Sequence, residues 1–412
     1  MRSWTRPAVP AVAGNGPVIR LSDTATATAE PIECQPDAAA SIYVCGITPY
    51  DATHIGHAAT YIAFDTLIRA WLDQGLDVDY AQNSTDVDDP LLERAVATGV
   101  DWRELAATQL DLYRSDMESL RVIPPDHFIA VTDEIDSISA AVESLVTAEV
   151  GYRIDDDVYF DVAKATAASQ WHLGAESHLD RAEMLRLSAA RGGDPDRDGK
   201  RDALDPQLWR AADGIDPAWE SPLGAGRPGW HIECSVIASK YLGDRVTVVG
   251  GGRDLVFPHH EFSAAHTAVL DGLPLASVHV HAGLVAFEGE KMSKSLGNLV
   301  FVSELLRNGV DPRAIRLAIL AQHYRVDWEW TADVLAEGTA RLARWTDWAS
   351  ATNSAADAAA ASLAHDRLRA AIANDLDTPA ALTAIDGLVA AGGRAEPETI
   401  DLIDALLGVR LK

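Results

Sequence analysis

Cysteine is scarce: Cys34, Cys45 and Cys234 are the only three in 412 residues. So few thiols exclude a disulfide framework and point to a reducing compartment, where a cysteine serves as a metal ligand or a reactive group. No C-x-x-C pair occurs, which removes a common structural zinc spacing. Long apolar runs are missing too. No window approaches the roughly 18 uninterrupted apolar residues that a membrane span requires. The N-terminal MRSWTRPAVPAVAGNG is interrupted by Pro and Gly and lacks the apolar core of a secretory signal, so a cytoplasmic protein with no membrane partner is expected. Positive charge is the third shortage, Lys+Arg 34 against Asp+Glu 62, a net charge of −28. The average surface repels phosphate polyanions, and any nucleic-acid partner would need a local basic patch. Gly 29 and Pro 19 are too few for a low-complexity chain, and 48% hydrophobic with 23% charged residues is the balance of a folded globular protein.

The pattern that is present is α/β. Residues 1–40 carry little periodicity and predict an extended arm. SIYVCGIT (Ser41 to Thr48) reads as a strand, the stretch to Gly75 as a helix with apolar residues at Ile62, Leu67 and Trp71, and DVDYAQNST as a second strand. Strand, helix, strand with polar loops is the start of a parallel sheet, so residues 41–123 predict the first half of an α/β core. Over 124–224 the rhythm changes to a helix near Ile135 to Val150, a hairpin in GYRIDDDVYFDVAKA and a Gly/Asp/Arg-rich segment, which predicts an inserted subdomain. RVTVVGGGRD and SVHVHAGLVAF restore the rhythm and predict the second half of the core over 225–290. A loop and helical linker over 291–340 and a helical bundle over 341–412 complete the expected organisation.

Two short motifs carry chemistry. In THIGH (Thr53 to His57) two imidazoles three residues apart share one helix face, Gly56 admits a flat ring, and a helix N-terminus offers positive potential to phosphate. By itself this spacing is equally that of two surface histidines beside a turn. EKMSKSLGN (Glu290 to Asn298) places Lys291 and Lys294 among small hydroxyl residues, suited to stabilising charge that develops on a phosphate oxygen; taken alone, it is also the composition of a solvated loop.

His54-Ile55-Gly56-His57 and Lys291-Met292-Ser293-Lys294-Ser295 resemble the paired signatures of class I aminoacyl-tRNA synthetases, and CGITPYDATHIGH, NSTDVDD, GRPGWHIECS and FPHHE are similar to the cysteinyl branch. The resemblance runs in segments from Cys45 to about Asn298. It implies a Rossmann-type catalytic core in which an amino-acid carboxylate attacks the α-phosphate of Mg²⁺-ATP. His54, His57, Lys291 and Lys294 then serve the phosphates. It also implies one zinc ion on Cys45, Cys234 and His259, a ligand set that zinc prefers; from spacing alone, two buried apolar cysteines are the better reading. The zinc of cysteinyl synthetases takes the substrate thiolate, which separates cysteine from serine without editing. Where the family has a Glu four residues beyond the matching His, this chain has Ser263, leaving the fourth position to water or substrate sulfur.

By the same matching, Gly46, Ile47 and Thr48 lie along the substrate cysteine, Thr60 and Asn83, Ser84 and Thr85 near its amino group, and Trp230 forms a pocket wall. Gly252, Arg253 and Asp254 meet the ribose and Val285 the adenine, although a tight turn alone would also explain the glycines. Asp86, Asp88 and Asp89 invite a Mg²⁺ reading, but acids at a helix N-terminus need no metal. His231 is a candidate base with an alternative reading as a packing histidine. Cys34 is a spare thiol.

The chain also departs from a tRNA-charging enzyme. Residues 341–412 hold seven basic and ten acidic side chains, a tail that does not attract RNA. With the missing Glu and the Gly- and charge-rich Ala190 to Arg210, this resembles the cysteine:glucosaminyl-inositol ligases of mycothiol biosynthesis. That branch implies ATP, L-cysteine and glucosaminyl-inositol as small-molecule partners, no nucleic acid, and a monomer. A cysteinyl-tRNA synthetase without an anticodon domain and a non-catalytic cysteine or nucleotide sensor are the competing readings.

Overall fold

The computed structural model describes residues 1–32, 39–51, 53–292, 297–351 and 357–412, with Lys291 described in its backbone only. Cys34 and Lys294 therefore lie outside the described residues.

The N-terminal arm is pinned by Trp4, whose buried indole donates to the Val122 carbonyl at 2.8 Å and meets Tyr113 and Phe128 edge-on. It then departs from the expected extended form and folds into a hairpin of β1 (Arg20–Asp23) and β2 (Thr28–Pro31). The turn has no Asn-Gly signal because the Asp23 carboxylate supplies it, accepting from the Ala25 and Thr26 amides at 3.3 and 3.1 Å.

The core follows as β3 (Ala40–Ile47), α1 (Ile55–Asp73), β4 (Val78–Ser84), α2 (Asp89–Thr98), α3 (Trp102–Ser119) and β5 (His127–Ala130). An insertion comprises α4 (Ile135–Thr147), β6 (Gly151–Ile154), β7 (Asp157–Phe160), α5 (Val162–Ala168), α6 (Arg181–Ala190), β8 (Gln207–Ala211) and β9 (Gly226–Pro228), its strands forming an antiparallel sheet in the order β6-β7-β8-β9. The core resumes with α7 (Trp230–Leu242), β10 (Val246–Gly252), α8 (Glu261–Leu270) and β11 (Ala276–Ala282). Then come β12 (Val285–Phe287), β13 (Glu290–Lys291), α9 (Val302–Arg307), α10 (Pro312–Leu320) and β14 (Trp328–Glu329), and finally helices α11 (Ala332–Ser350), α12 (Ala358–Ala373), α13 (Thr378–Ala391) and α14 (Pro397–Leu407).

The central sheet is parallel throughout, in the order β11-β10-β3-β4-β5. Two features differ from the sequence reading: β5 extends the core sheet beyond residue 124, and β9 still belongs to the inserted sheet. Both strands are too short, at four and three residues, for periodicity to assign them.

Alternation along β3 decides which side chains meet. Ile42 and Val44 enter a core with Leu67 and Trp71 of α1 and the C-terminal helices, whereas Tyr43 and Cys45 enter a second core with α7 and α8. From β3 the chain builds outward to β4 and β5 on one side and to β10 and β11 on the other. The strand order reverses at β3 and β10, the place where open α/β sheets bind ligands beyond their carboxyl ends.

A buried ionic cluster ties the C-terminal helix to this core. Asp65 of α1 pairs with Arg69 (2.8 Å) and with Arg316 of α10 and accepts from the Ile123 amide at 2.8 Å. Arg69 also donates to the carbonyls of Asp404 and Ala405 at 3.0 and 3.2 Å, and Arg316 to that of Leu407. One carboxylate faces two guanidiniums, and the last carbonyls of α14 supply the remaining negative potential.

Candidate active site and metal cluster

At the carboxyl end of β3, the β3–β4 register shifts between Val44 and Ile47. Gly46 sits in that shift: a Cβ there would lie 1.5 Å from the Asn83 carbonyl oxygen, so only glycine lets the strands approach. Asn83 completes the junction, its Oδ1 accepting from the Gly46 amide (2.8 Å) and the Tyr43 hydroxyl (3.0 Å), its Nδ2 donating to Thr85 (3.1 Å). Asn83, Ser84 and Thr85 are buried behind the strand end and brace it.

This end projects Cys45 toward α7, which starts at Trp230 and presents Cys234 one turn later on the same face. Ligand atoms of Cys45, Cys234 and His259, all three buried, lie within 4.8 Å of one another. The two sulfurs are 3.8 Å apart. Burial, with the adjoining Cys234, pushes the Cys45 thiol up. At Cys234 burial also opposes ionisation, but hydrogen bonds and charge from Cys45 and His259 outweigh it and bring the thiol well below its usual value. Two soft sulfur donors and an imidazole form a three-ligand zinc-type set. Ser263, one helical turn after His259, gives its hydroxyl to the His231 carbonyl at 3.1 Å and adds no ligand.

Neighbouring aromatic groups hold the set. Trp230 lies over His259 with ring centroids 4.4 Å apart, and the Nδ1 atoms of His231 and His259 are 3.3 Å apart. Burial drives the His231 imidazole well below its ordinary range, with His259 and His266 adding to the effect, so it is neutral. On the other side His260 Nε2 approaches Cys45 Sγ at 3.1 Å. The sequence reading missed His260 and its partner His281, although His279 and His281 at alternate positions of β11 were a signal that both face one side of a strand.

The second group is the start of α1. His54 is the N-cap, accepting from the His57 amide at 3.4 Å, and the two rings stack with centroids 3.8 Å apart. Burial lowers the His57 pKa to about 4, with Asp254 opposing, so His57 is neutral at pH 7. Backbone bonds to the later signature region fix this turn: the Ile55 amide donates to Val300 (2.9 Å) and Val302 to Thr53 (3.0 Å). Gly250 to Gly252 belong to β10 and serve close packing. A Cβ on Gly250 would lie 2.3 Å from the Phe64 ring, and one on Gly252 would lie 2.6 Å from Asp254.

The His54–His57 pair and Cys45 of the cluster face one cavity of about 1270 Å³, lined also by Gly46, Ile47 and Thr48. Thr60, Trp230, Gly252, Asp254 and Val285 also face it. Arg253 turns outward to Asp327 at 2.9 Å. Asp88 is the N-cap of α2, bonded to the Asp89 amide at 2.9 Å; Asp89 pairs with Arg210 and Arg227, and Asp86 accepts from Thr132. The helix-terminus reading accounts for Asp88 and Asp89, at the N-cap and first turn of α2, whereas Asp86 is held by Thr132. Met292 lines the cavity beside the backbone of Lys291, and Lys294 lies outside the described residues. Among the described residues no helix is long and apolar enough to cross a membrane.

Residues 32–340 match the family described as tRNA synthetases class I (C) catalytic domain. The L-cysteine:1D-myo-inositol 2-amino-2-deoxy-alpha-D-glucopyranoside ligase of Clavibacter michiganensis subsp. michiganensis is 58% identical over 421 residues, covering 100% of this chain and 99% of the relative. The ligase of the same description from Thermobispora bispora is 56% identical over 415 residues, covering 100% of both chains. Among solved structures, Mycobacterium tuberculosis methionyl-tRNA synthetase in complex with methionyl-adenylate aligns with a TM-score of 0.59 at 18% identity, over 90% of this chain and 88% of that one, a likeness of fold. The chain belongs to the class I (C) tRNA synthetase catalytic-domain family and, within it, to the L-cysteine:1D-myo-inositol 2-amino-2-deoxy-alpha-D-glucopyranoside ligases.

Proposed function

We propose that this chain is an ATP-dependent, AMP-forming ligase that joins L-cysteine to the amine of glucosaminyl-myo-inositol, as a cytoplasmic monomer serving mycothiol biosynthesis. The observation that carries the proposal is the buried cluster of Cys45, Cys234 and His259, which meets the cavity through Cys45 and so adjoins the stacked His54–His57 pair that lines it. The full-length likeness to ligases of that description supports the choice of acceptor.

In the first half-reaction a cysteine carboxylate oxygen bonds to the α-phosphorus of Mg²⁺-ATP, and the bond to the β-phosphate oxygen breaks to release pyrophosphate. His54 and neutral His57 donate hydrogen bonds to the phosphates at the start of α1, and Lys291 and Lys294 stabilise the charge that builds up on them. Cys45, Cys234 and His259 would hold a zinc ion, which would supply a Lewis-acid site for the substrate thiolate and so distinguish sulfur from oxygen. Thr48 and Thr60 line the cysteine, Trp230 walls its side chain, and Gly252, Asp254 and Val285 flank the nucleoside. In the second half-reaction the acceptor nitrogen bonds to the acyl carbon, the carbon–oxygen bond to AMP breaks, and the nitrogen gives up its proton.

The half-reaction test is cysteine-dependent exchange of labelled pyrophosphate into ATP. Exchange with cysteine, and at least a hundredfold less with serine, is the expected result. Exchange that does not require cysteine contradicts the proposal.

A further inference from the structure

The cavity has a second wall that these roles leave unused. It comes from β7 and from the Gly- and charge-rich segment after α6. Asp157, Tyr159, Asp194, Arg197 and Lys200 line the same cavity as Cys45 and His57. At about 1270 Å³ it exceeds the several hundred Å³ that one small ligand fills, leaving room for an acceptor beside an aminoacyl-adenylate.

This wall is built. Asp194 accepts from the Tyr159 hydroxyl and pairs with Lys200 Nζ at 3.0 Å. Tyr159 is 1% exposed and the Lys200 side chain 4%, whereas the Asp194 side chain is 42% exposed. Lys200 is itself fixed by the Ala203 carbonyl at 3.0 Å. A solvated surface aspartate needs neither a buried tyrosine nor a buried lysine. Here they pin its carboxylate and leave lone pairs facing the open space. Arg197, 37% exposed, bridges Asp155 and Asp157 at 3.0 and 3.4 Å. The segment reaches this position through a tight turn in which a Cβ on Gly193 would lie 2.2 Å from the Ser188 hydroxyl.

Charge pairing selects the ligand class. Among the lining groups of this wall, Asp157, Asp194 and Asp205 are balanced by Arg191, Arg197 and Lys200, so the wall offers no net field to a phosphate polyanion. It presents fixed acceptors beside fixed donors. That pattern matches hydroxyl groups, each of which both donates and accepts.

We propose that Asp194 and Arg197 form the seat for the hydroxyls of the polyhydroxylated acceptor, with Tyr159 and Lys200 as positioning residues that hold Asp194. This rests on the ligase reading given above. The seat determines acceptor selection and takes no part in cysteine activation.

The test uses the full chain with two variants, Asp194→Asn and the exposed Arg197→Gln. Each is assayed for cysteine-dependent ATP–pyrophosphate exchange and for ligation with glucosaminyl-myo-inositol and with glucosamine alone. Loss of a hydrogen bond to a charged group predicts an acceptor KM raised about ten- to a hundredfold, with exchange within about twofold of the parent. The variant's deficit should shrink when glucosamine replaces the larger polyol. An unchanged acceptor KM in both variants overturns the proposal, as does exchange that falls in step with ligation, which marks a scaffold role. A parent protein that exchanges pyrophosphate but forms no amide overturns the ligase reading, and the seat with it.

Discussion

His260 Nε2 lies 3.1 Å from the sulfur of Cys45, and its other ring nitrogen lies 2.7 Å from His281 Nε2. His281 Nδ1 in turn meets the Thr24 hydroxyl of the N-terminal hairpin at 2.7 Å. Burial, reinforced by neighbouring histidines, lowers both imidazoles, His281 to about 3 and His260 well below its usual value, so each carries one proton. Were a metal to hold Cys45 as a thiolate, the direction of the chain would follow: Thr24 donating to His281, His281 to His260, and His260 to the sulfur. His260→Gln therefore weakens zinc binding by about ten- to a hundredfold, the usual effect of removing a partner of a metal ligand. Competition against a chromophoric chelator measures it, and an unchanged affinity would show that the contact is idle.

Cys234→Ser removes one of the two sulfurs 3.8 Å apart. Zinc content and cysteine-dependent exchange should be lost together while ATP binding, measured by calorimetry, stays within about twofold. Retained metal with retained exchange would remove Cys234 from the ligand set.

Asp65 is the sole carboxylate in the described cluster with the buried Arg69 and Arg316. Asp65→Asn leaves two guanidiniums facing each other without a counter-ion, and a buried pair broken from one side costs about 3–5 kcal/mol. Urea unfolding should report a loss of that size. Because both arginines also hold the end of α14, removal of residues 397–412 should destabilise the core as well. A loss below about 1 kcal/mol for Asp65→Asn would contradict the burial of this network.

Asp116, 1% exposed, has its pKa pushed up to about 7 by burial, with Thr53 and Arg307 opposing. The folded chain thus holds a proton that the unfolded chain, with an ordinary carboxyl near 3.9, has released between about pH 4 and 7. The stability from this proton is complete below about pH 4 and lost as pH rises through 7. Asp116→Asn should remove on the order of 2–4 kcal/mol of the parent's decline in unfolding free energy between pH 4 and 8. Parallel stability curves for parent and variant would refute the assignment.

What the sequence disclosed follows from what is local. The β3–α1–β4 unit was legible because apolar spacing and the Gly75 stop lie within one stretch, and His54 and His57 because both occupy one helix start. Cys45, Cys234 and His259 come from three separate segments, and they meet only because β3 and β10 adjoin where the sheet order reverses. Resemblance, rather than spacing, could join them. The Gly250–Gly252 run shows why composition misleads: it admits the Phe64 ring and the Asp254 side chain instead of turning the chain. Alternation along β11 marks His281 as facing one side of the sheet, but its pairing with Thr24 and His260 is not legible in the sequence, because it depends on the N-terminal hairpin docking against β11, where the Thr24 amide meets the His279 carbonyl at 2.8 Å. Asn83 reads from sequence as a loop residue near substrate, yet its amide is consumed in closing the gap at Gly46.

The most direct test of the ligase assignment is mass analysis of the products formed by the purified, zinc-loaded chain from Mg²⁺-ATP, L-cysteine and glucosaminyl-myo-inositol in the absence of RNA. The account predicts a single amide of cysteine and the aminosugar, with one AMP and one pyrophosphate for each amide. AMP and pyrophosphate without the amide, or cysteine transferred only to tRNA, would contradict it.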